Sequence, residues 1–462
     1  MGSLALVLHS HMPYVEGFGT YPFGEEWLFD AFCRSYVPVL DVVADVTVTV
    51  TPVLADQLEA EGVPGRLHGF VERFRLGAAE DEDGRVDAEL KPACEGEAAR
   101  YRRVLERLGE LDGDLLSLFR DAAARNVELV PSAATHAVLP LLATASGRRV
   151  QIDVGLRSHR RRFGPNTGFW LPECAHESAL DTLLAERHIA WFCTDQSAHE
   201  APEAALAPVR TAEGPVAFTI DWEAVSWLWS LDGYPSDPAY ADFHRKSYGG
   251  IRLWSIGGDP YDPEAANRRA REHALEFVEA AAARLSTYAA SNGREGLLVF
   301  AIDTELVGHW WWEGPVWLEE VLRLAPEHGI RLVTLGDAAA RHEPQERPLH
   351  RSTWGENKDL STWDSPEVAD LTWAARRLEL RLLRALTAGL PRPAAERATR
   401  ELLAVQSSDW AFLDKRGQAG DYAFQRVTAH GEAFAEALQT SEMSPHLRNL
   451  APDLSLSPLR EP

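Results

Sequence analysis

The chain has 462 residues, too many for one ordinary domain, so two or three are expected, with a barrel able to take well over half. Hydrophobic residues make up 45% and charged residues 25%, which excludes a disordered or fibrous protein. A formal net charge of −24 and a pI near 5.1 argue against nucleic acid or an anionic membrane as the main partner and favour a neutral ligand.

The first apolar run, residues 4–8, reads as a strand, and His9-Ser10-His11-Met12-Pro13-Tyr14 follows it directly. Two histidines at that spacing can ligate a divalent metal together with Asp303, or hydrogen-bond sugar hydroxyls. Residues 46–50 form the second strand. From about 54 to 116 an insertion of helices and a solvated loop is expected, with the acidic stretch 80–83 inside it. Residues 127–130 give a third strand, and Thr135-His136 stands just beyond. The basic run 157–162 fits the solvated C-terminal turn of a helix better than a binding patch, because helix ends favour cations.

The next run, 169–171, ends in a carboxylate within Gly168-Phe-Trp170-Leu-Pro-Glu173-Cys-Ala-His176. A buried strand seldom ends in Glu; the plainer reading is a cap for the helical pattern over 179–184. Further strands are expected at 189–193 and 216–220. Between them and the next one, in a loop or insertion over about 195–260, the stretch 222–258 gathers seven tryptophans and tyrosines with three turn-forming pairs, more like a functional loop than a connector. Residues 297–302 lead into Asp303-Thr-Glu305-Leu-Val-Gly308-His309-Trp310-Trp311-Trp312. Consecutive tryptophans point in different directions, so only some of them can be core. A last strand is expected at 331–334.

From Pro366 the pattern turns to amphipathic helices, with Leu378, Leu382, Leu383 and Leu386 at helical spacing. Gln406-Ser407-Ser408-Asp409-Trp410 interrupts one of them, as a polar cluster or a simple N-cap. The expected division is therefore a (β/α) barrel over 1–345, a helical domain over 346–442 and a Pro/Ser-rich, loosely held tail over 443–462. Cys33, Cys94, Cys174 and Cys193 show no CxxC spacing, so reduced thiols are expected. No stretch approaches the roughly 18 apolar residues of a membrane helix, and residue 1 leads into the first strand without a basic flank. A cytoplasmic location is expected.

Strands alternating with helices place the chain in the α/β class, as a barrel or a long doubly wound sheet. In a barrel, polar residues just after the strands lie on the face that carries chemistry. Two carboxylates among histidines and tryptophans are what glycosidic cleavage needs: one attacks C1 or activates water, the other protonates the leaving oxygen, and aromatic rings stack on sugar faces.

Five ordered segments, His9-Ser-His11-Met-Pro-Tyr, Ala134-Thr-His136, Trp170-Leu-Pro-Glu173-Cys-Ala, Asp303-Thr-Glu-Leu-Val-Gly-His309-Trp-Trp and Gln406-Ser-Ser-Asp409-Trp410, resemble glycoside hydrolase family 57 over nearly the whole chain. Within it the 1,4-α-glucan branching enzymes are the nearest in pattern, through a stretch running from Gly233 to Arg245. The resemblance implies an incomplete (β/α)7 barrel with a helical insertion and a C-terminal α-helical domain closing over the cleft. It implies a retaining mechanism with Glu173 as nucleophile and Asp303 as acid/base. His9, His11, His309 and Trp310 would line the donor sugar, Arg245, Trp254, Trp354, Asp409 and Trp410 would hold flanking glucose units, His136 and Trp170 would also bind substrate, and Tyr234 would sit on a loop above the nucleophile that keeps water out. No metal or cofactor is implied, and the partner would be a glycogen- or amylose-like α-glucan, in an oligomeric state the sequence does not give. The alternatives are an α-1,4-glucan hydrolase or 4-α-glucanotransferase with the same pair, a metal-dependent hydrolase or deacetylase built on His9, His11 and Asp303, and a non-catalytic glucan-binding protein. Departures from the pattern stand at His176 in place of Tyr, Glu356-Asn357 in place of glycines and Ala411 in place of Pro; all are expected in the substrate cleft.

Overall fold

The computed structural model describes residues 2–15, 23–440 and 449–461. Seven parallel strands make the frame: β1 (Ser3–Ser10), β2 (Thr47–Val50), β3 (Glu128–Val130), β4 (Gly168–Phe169), β5 (Trp191–Asp195), β6 (Val216–Ile220) and β7 (Leu297–Asp303). Around the barrel they run β4, β5, β6, β7, β1, β2, β3. The ring is thin at two seams. β6 meets β7 only at Ile220 and Val299, and β3 reaches β4 through a bridge between Ser132 and Trp170, whose N–H donates to the Pro131 carbonyl at 2.8 Å. This is the incomplete seven-stranded barrel that the resemblance implied. The eighth expected strand shrinks to Arg331–Leu332, which pairs with the opening residues of β1 away from the chemical face.

Every residue of β1 is buried, and nearly all of β7, because helices cover the outside and side chains fill the inside; both faces therefore demand apolar runs instead of alternation. Gly168 has no substitute in β4, since a Cβ there would lie 2.1 Å from the Trp191 ring. Between β2 and β3 the chain is largely helical, with Pro52–Leu58, Val63–Phe70, Gly77–Asp83, Lys91–Leu111 and Ser117–Ala123. The acidic stretch 80–83, expected near a solvated loop, falls inside Gly77–Asp83, which turns Ala79 inward, exposes Glu80 and Asp81 and half-buries Glu82 and Asp83. The helix Pro263–Asn292 ahead of β7 starts on Asp262, whose side chain accepts from two first-turn N–H groups, and stops at Gly293 in the left-handed conformation.

The C-terminal helices Ala369–Thr387, Arg392–Val405, Ser408–Lys415 and Tyr422–Ala437 bury Leu378, Leu382, Leu402, Leu403 and Phe434. The same core takes in Val150 and Val154 of the barrel helix Ala145–Phe163, so the helical layer is packed directly on the barrel. Arg160, Arg161 and Arg162 do close the last turn of Ala145–Phe163. Arg162, however, is buried, with its guanidinium 2.6 Å from the buried Asp56 carboxylate, so the basic run is only partly solvated. Part of the expected loose tail lies outside the described residues. Residues 449–461 are not loose: Leu450, Ala451 and Leu459 are buried, and the Ala451 N–H donates to Asp56 at 2.7 Å. Apolar side chains and a buried carboxylate in need of donors hold that segment down. Among the described residues no helix is long and apolar enough to cross a membrane.

Candidate active site

Strand register assembles the site. His9 on β1 stands opposite Asp303 on β7 and opposite Thr49 on β2, so all three side chains leave the sheet on one side at one level. There a cleft of about 610 Å3 opens, with His9, His11, His136, Glu173, Asp303 and Glu305 at its base. Its walls carry Trp222, Trp229, Phe243, Trp310 and Trp354 from the barrel side and Asp409, Phe412 and Arg416 from the helical layer. The C-terminal helices thus close one flank of the cleft.

Glu173 follows β4 on a strained turn. Its φ is +60° and that of Cys174 is +49°, a left-handed pair without glycine that costs on the order of 1 kcal/mol per residue. Neighbours enforce it. The Glu173 carbonyl accepts from the Thr353 hydroxyl at 2.8 Å and from the Trp354 N–H at 3.1 Å. Its carboxylate accepts from the Trp354 indole N–H at 2.9 Å and from the Ser408 hydroxyl, with His136 Nδ1 3.5 Å away. Burial pushes the Glu173 carboxyl up to about 7, against the pull of those two donors.

Asp303 ends β7 without strain. Burial lifts its carboxyl to about 6; the His11 ring opposes the rise, while Asp409 adds to it. Two residues on, Glu305 reaches about 8 through burial and the nearness of Asp303, and accepts from the His11 N–H at 3.1 Å and from the Tyr36 hydroxyl. Gly308, at φ +100°, lets this segment pass the Arg34 carbonyl, which a Cβ would meet at 2.1 Å.

Three histidines tie the base together. His9 Nδ1 lies 2.5 Å from the Thr49 hydroxyl and its Nε2 3.0 Å from His136 Nε2, while His136 Nδ1 lies 2.9 Å from the Ser408 hydroxyl. One direction of donation satisfies the whole chain with both imidazoles neutral, and burial holds both well below the usual histidine range. His11 differs. Burial pulls it down, but its Nε2 lies 3.0 Å from each Asp409 oxygen, and that carboxylate raises it above the usual range. Since Thr51 takes His11 Nδ1, every ring nitrogen of His9 and His11 already has a protein partner. The arrangement is a hydrogen-bond lattice, and it lends the metal-ligand alternative no support.

Not every expected residue reaches the cleft. His309, Trp310, Trp354 and Asp409 line it, as do the three histidines. Trp170 is buried behind it, stacked on His9 with centroids 4.8 Å apart. Trp410 is a core residue of the helical layer, its indole N–H donating to the Ala404 carbonyl at 2.7 Å. Arg245 and Trp254 form a cation–π pair at 4.3 Å away from the cleft lining. Tyr234 does not stand over Glu173: it stacks on His273 at 4.5 Å, held there by the long helix Pro263–Asn292. Of the departures, only Glu356 lines the cleft. His176 is fully buried, bonded to Asp181 at 2.8 Å, and Ala411 lies in the helical core near Trp363.

Sequence reasoning left several lining or supporting groups unassigned: Ser408, Glu305, Tyr36, Thr49 and Thr51, and the aromatics Trp222, Trp229 and Phe243. The density of aromatics over 222–258 was the signal for the last three. Tyr36 carried none, since it sits in a helical stretch 269 positions from Glu305.

The glycosyl hydrolase family 57 model matches residues 5–350. The chain belongs to glycosyl hydrolase family 57. Within this family 57 chain, residues 371–451 match a second model, that of the 1,4-alpha-glucan branching enzyme C-terminal region. The 1,4-alpha-glucan branching enzyme TK1436 of Thermococcus kodakarensis is 32% identical over 494 residues, covering 94% of this chain and 73% of that one. The GH57-type branching enzyme of Pyrococcus horikoshii superposes with a TM-score of 0.91 at 30% identity, over 99% of this chain and 96% of that one. The α-amylase AmyC of Thermotoga maritima shares the fold, with a TM-score of 0.84 at 24% identity, over 99% and 95% of the two chains.

Proposed function

We propose that this family 57 protein is a 1,4-α-glucan branching enzyme, a retaining transferase that cleaves an α-1,4 linkage and re-forms an α-1,6 branch. The observation that carries the chemistry is the pairing of Glu173 and Asp303 in one aromatic-walled cleft. The C-terminal layer that flanks it coincides with the region matched by the branching-enzyme model.

Burial raises both carboxyls, Glu173 to about 7 and Asp303 to about 6, so between those values the two together hold about one proton. In the open cleft the values of about 7 and about 6 leave that proton on Glu173. The Trp354 and Ser408 donors favour the opposite arrangement, and a sugar developing positive charge at C1 favours it further. In the loaded cleft Glu173 is therefore the carboxylate and Asp303 the acid. Glu173 attacks C1, the C1–O4 bond breaks, and Asp303 gives its proton to O4 of the departing chain. Asp303, now a carboxylate, then takes the proton from the 6-hydroxyl of an acceptor glucose as O6 displaces Glu173 from C1. Two inversions at C1 leave the new linkage α.

Trp222, Trp229, Phe243, Trp310 and Trp354 offer faces on which glucose rings can stack. Four free, buried cysteines fit a reducing compartment, and we place the reaction in the cytoplasm. Incubation with amylose tests the reading. New α-1,6 linkages in excess of new reducing ends are expected; reducing ends without branches would remove the branching assignment.

A further inference from the structure

We propose that Lys358 is a positioning residue for the nucleophile: its ammonium, clasped on the buried Asp195 carboxylate at the end of β5, holds the turn 353–358 so that the Trp354 indole N–H stays on Glu173. The inference rests on the reading of Glu173 as nucleophile and deepens it.

The turn is the main support of Glu173, supplying the Thr353 hydroxyl, the Trp354 N–H and the Trp354 indole. Its own conformation is unfavourable. Asn357 and Lys358 both have φ +59°, a consecutive left-handed pair of the kind glycine would adopt without cost. Such a pair persists only when its surroundings impose it. Lys358 provides the constraint, because its Nζ lies 3.1 Å from Asp195 Oδ2, donates to the Trp354 carbonyl at 3.4 Å, and sits 3.0 Å above the Trp222 ring. Asp195 is itself fixed. Its side chain is 1% exposed, and its other oxygen accepts from the Ser197 N–H at 2.9 Å. One ammonium therefore joins the rim of β5, the first residue of the cleft-wall helix Trp222–Trp229 and the turn that holds Glu173. Asn357, the first of this left-handed pair, is also one of the two positions where the chain carries another residue in place of the family pattern's glycines.

The charged and titratable groups facing Glu173 are His136, His11, Asp409 and Asp303; those facing Lys358 are Asp195 and Cys174. Freeing the turn removes the Trp354 donor, which favours the Glu173 carboxylate, so the acid limb of kcat, set by Glu173 in the loaded cleft, moves to higher pH.

The test measures kcat and KM for maltooligosaccharide cleavage across pH in the wild type, Lys358→Met, Trp354→Phe and the double variant. Lys358→Met is expected to lower kcat about 10-fold with KM within about 2-fold, and to shift the acid limb upward as Trp354→Phe does. Adding it to Trp354→Phe is expected to change nothing more. Lys358→Arg, which keeps the ion pair, should restore most of the rate. Should Lys358→Met fail to fold around an unpaired Asp195, the neutral pair Lys358→Met with Asp195→Asn gives the same comparison. A wild-type profile in the lysine variants, or losses that multiply with Trp354→Phe, would overturn the clasp, the latter by showing Lys358 acting through its charge alone. Cleavage is read, not branch formation, so an enzyme that forms no branches leaves the result interpretable; Glu173→Gln retaining full cleavage would instead mark failure of the nucleophile reading.

Discussion

The two strand ends that carry the carboxylates are built in opposite ways. β7 is seven residues long, paired with β1 along its whole length, and delivers Asp303 by strand repeat alone. β4 is two residues long and is followed by a left-handed turn, so Glu173 is placed by side chains borrowed from 353–354 and 408. A group set by a regular strand depends on its neighbours for charge. One set by a strained turn depends on them for position as well, and should be the more sensitive of the two to changes behind it.

The largest expected effect removes the reacting groups themselves. Glu173→Gln should lower cleavage by about 10,000-fold or more, since no covalent intermediate can form, and Asp303→Asn by about 100- to 10,000-fold, least for substrates with good leaving groups. Measured kcat on maltooligosaccharides and on an activated aryl maltoside would check both. Equal losses on the aryl substrate would break the division of roles.

The pH profile separates the ends next. With one proton on the pair required, kcat/KM should fall below about pH 6 as a second proton binds and above about pH 7 as the last one leaves. Ser408→Ala should raise the acid limb of kcat, which reports the loaded cleft where Glu173 is the carboxylate, and cost about 10-fold at pH 5.5, because a donor to that carboxylate is lost. Tyr36→Phe, behind the β7 end, should move the limbs much less, since it bonds Glu305 and not Asp303.

Legibility in the sequence followed the same divide. β1 and β7 announce themselves as continuous apolar runs because both of their faces are buried, and His9 and Asp303 could be placed at their ends by counting. β4 could not be sized that way: its run extends to Leu171 in the sequence, yet the ladder stops at Phe169 because the chain turns toward the Ser132 bridge. Glu173 was readable as a carboxylate at a strand end, but its partners were not, because Trp354 and Ser408 lie 181 and 235 positions away and meet it only through packing. The resemblance assigns Trp170 and Trp410 to sugar contacts; the structure uses them as packing, the commoner fate of a large apolar ring. Tyr234 was read above the nucleophile and stacks on His273 instead, a partner no local pattern marks.

The smallest effect is thermodynamic. The Glu173 carboxyl rises from an ordinary 4.5 to about 7 on folding, so its contribution to stability is fully present below pH 4.5 and lost as pH climbs through 7. Glutamine does not titrate. Glu173→Gln should therefore match the wild type near pH 4 and exceed it above pH 7, by up to about 3 kcal/mol in denaturant unfolding. A stability difference between variant and wild type no larger at pH 8 than at pH 4 would show that the burial penalty is relieved by other means.

The most direct measurement is to trap the glycosyl-enzyme with a 5-fluoro-α-maltosyl fluoride and locate the adduct by peptide mass spectrometry. A single maltosyl ester on the peptide containing Glu173, formed in the wild type and absent in Glu173→Gln, is the expected result. An adduct on Asp303 or on another carboxylate, or a β-configured product released with no adduct at all, would contradict the assignment of Glu173 as the nucleophile of a retaining transferase.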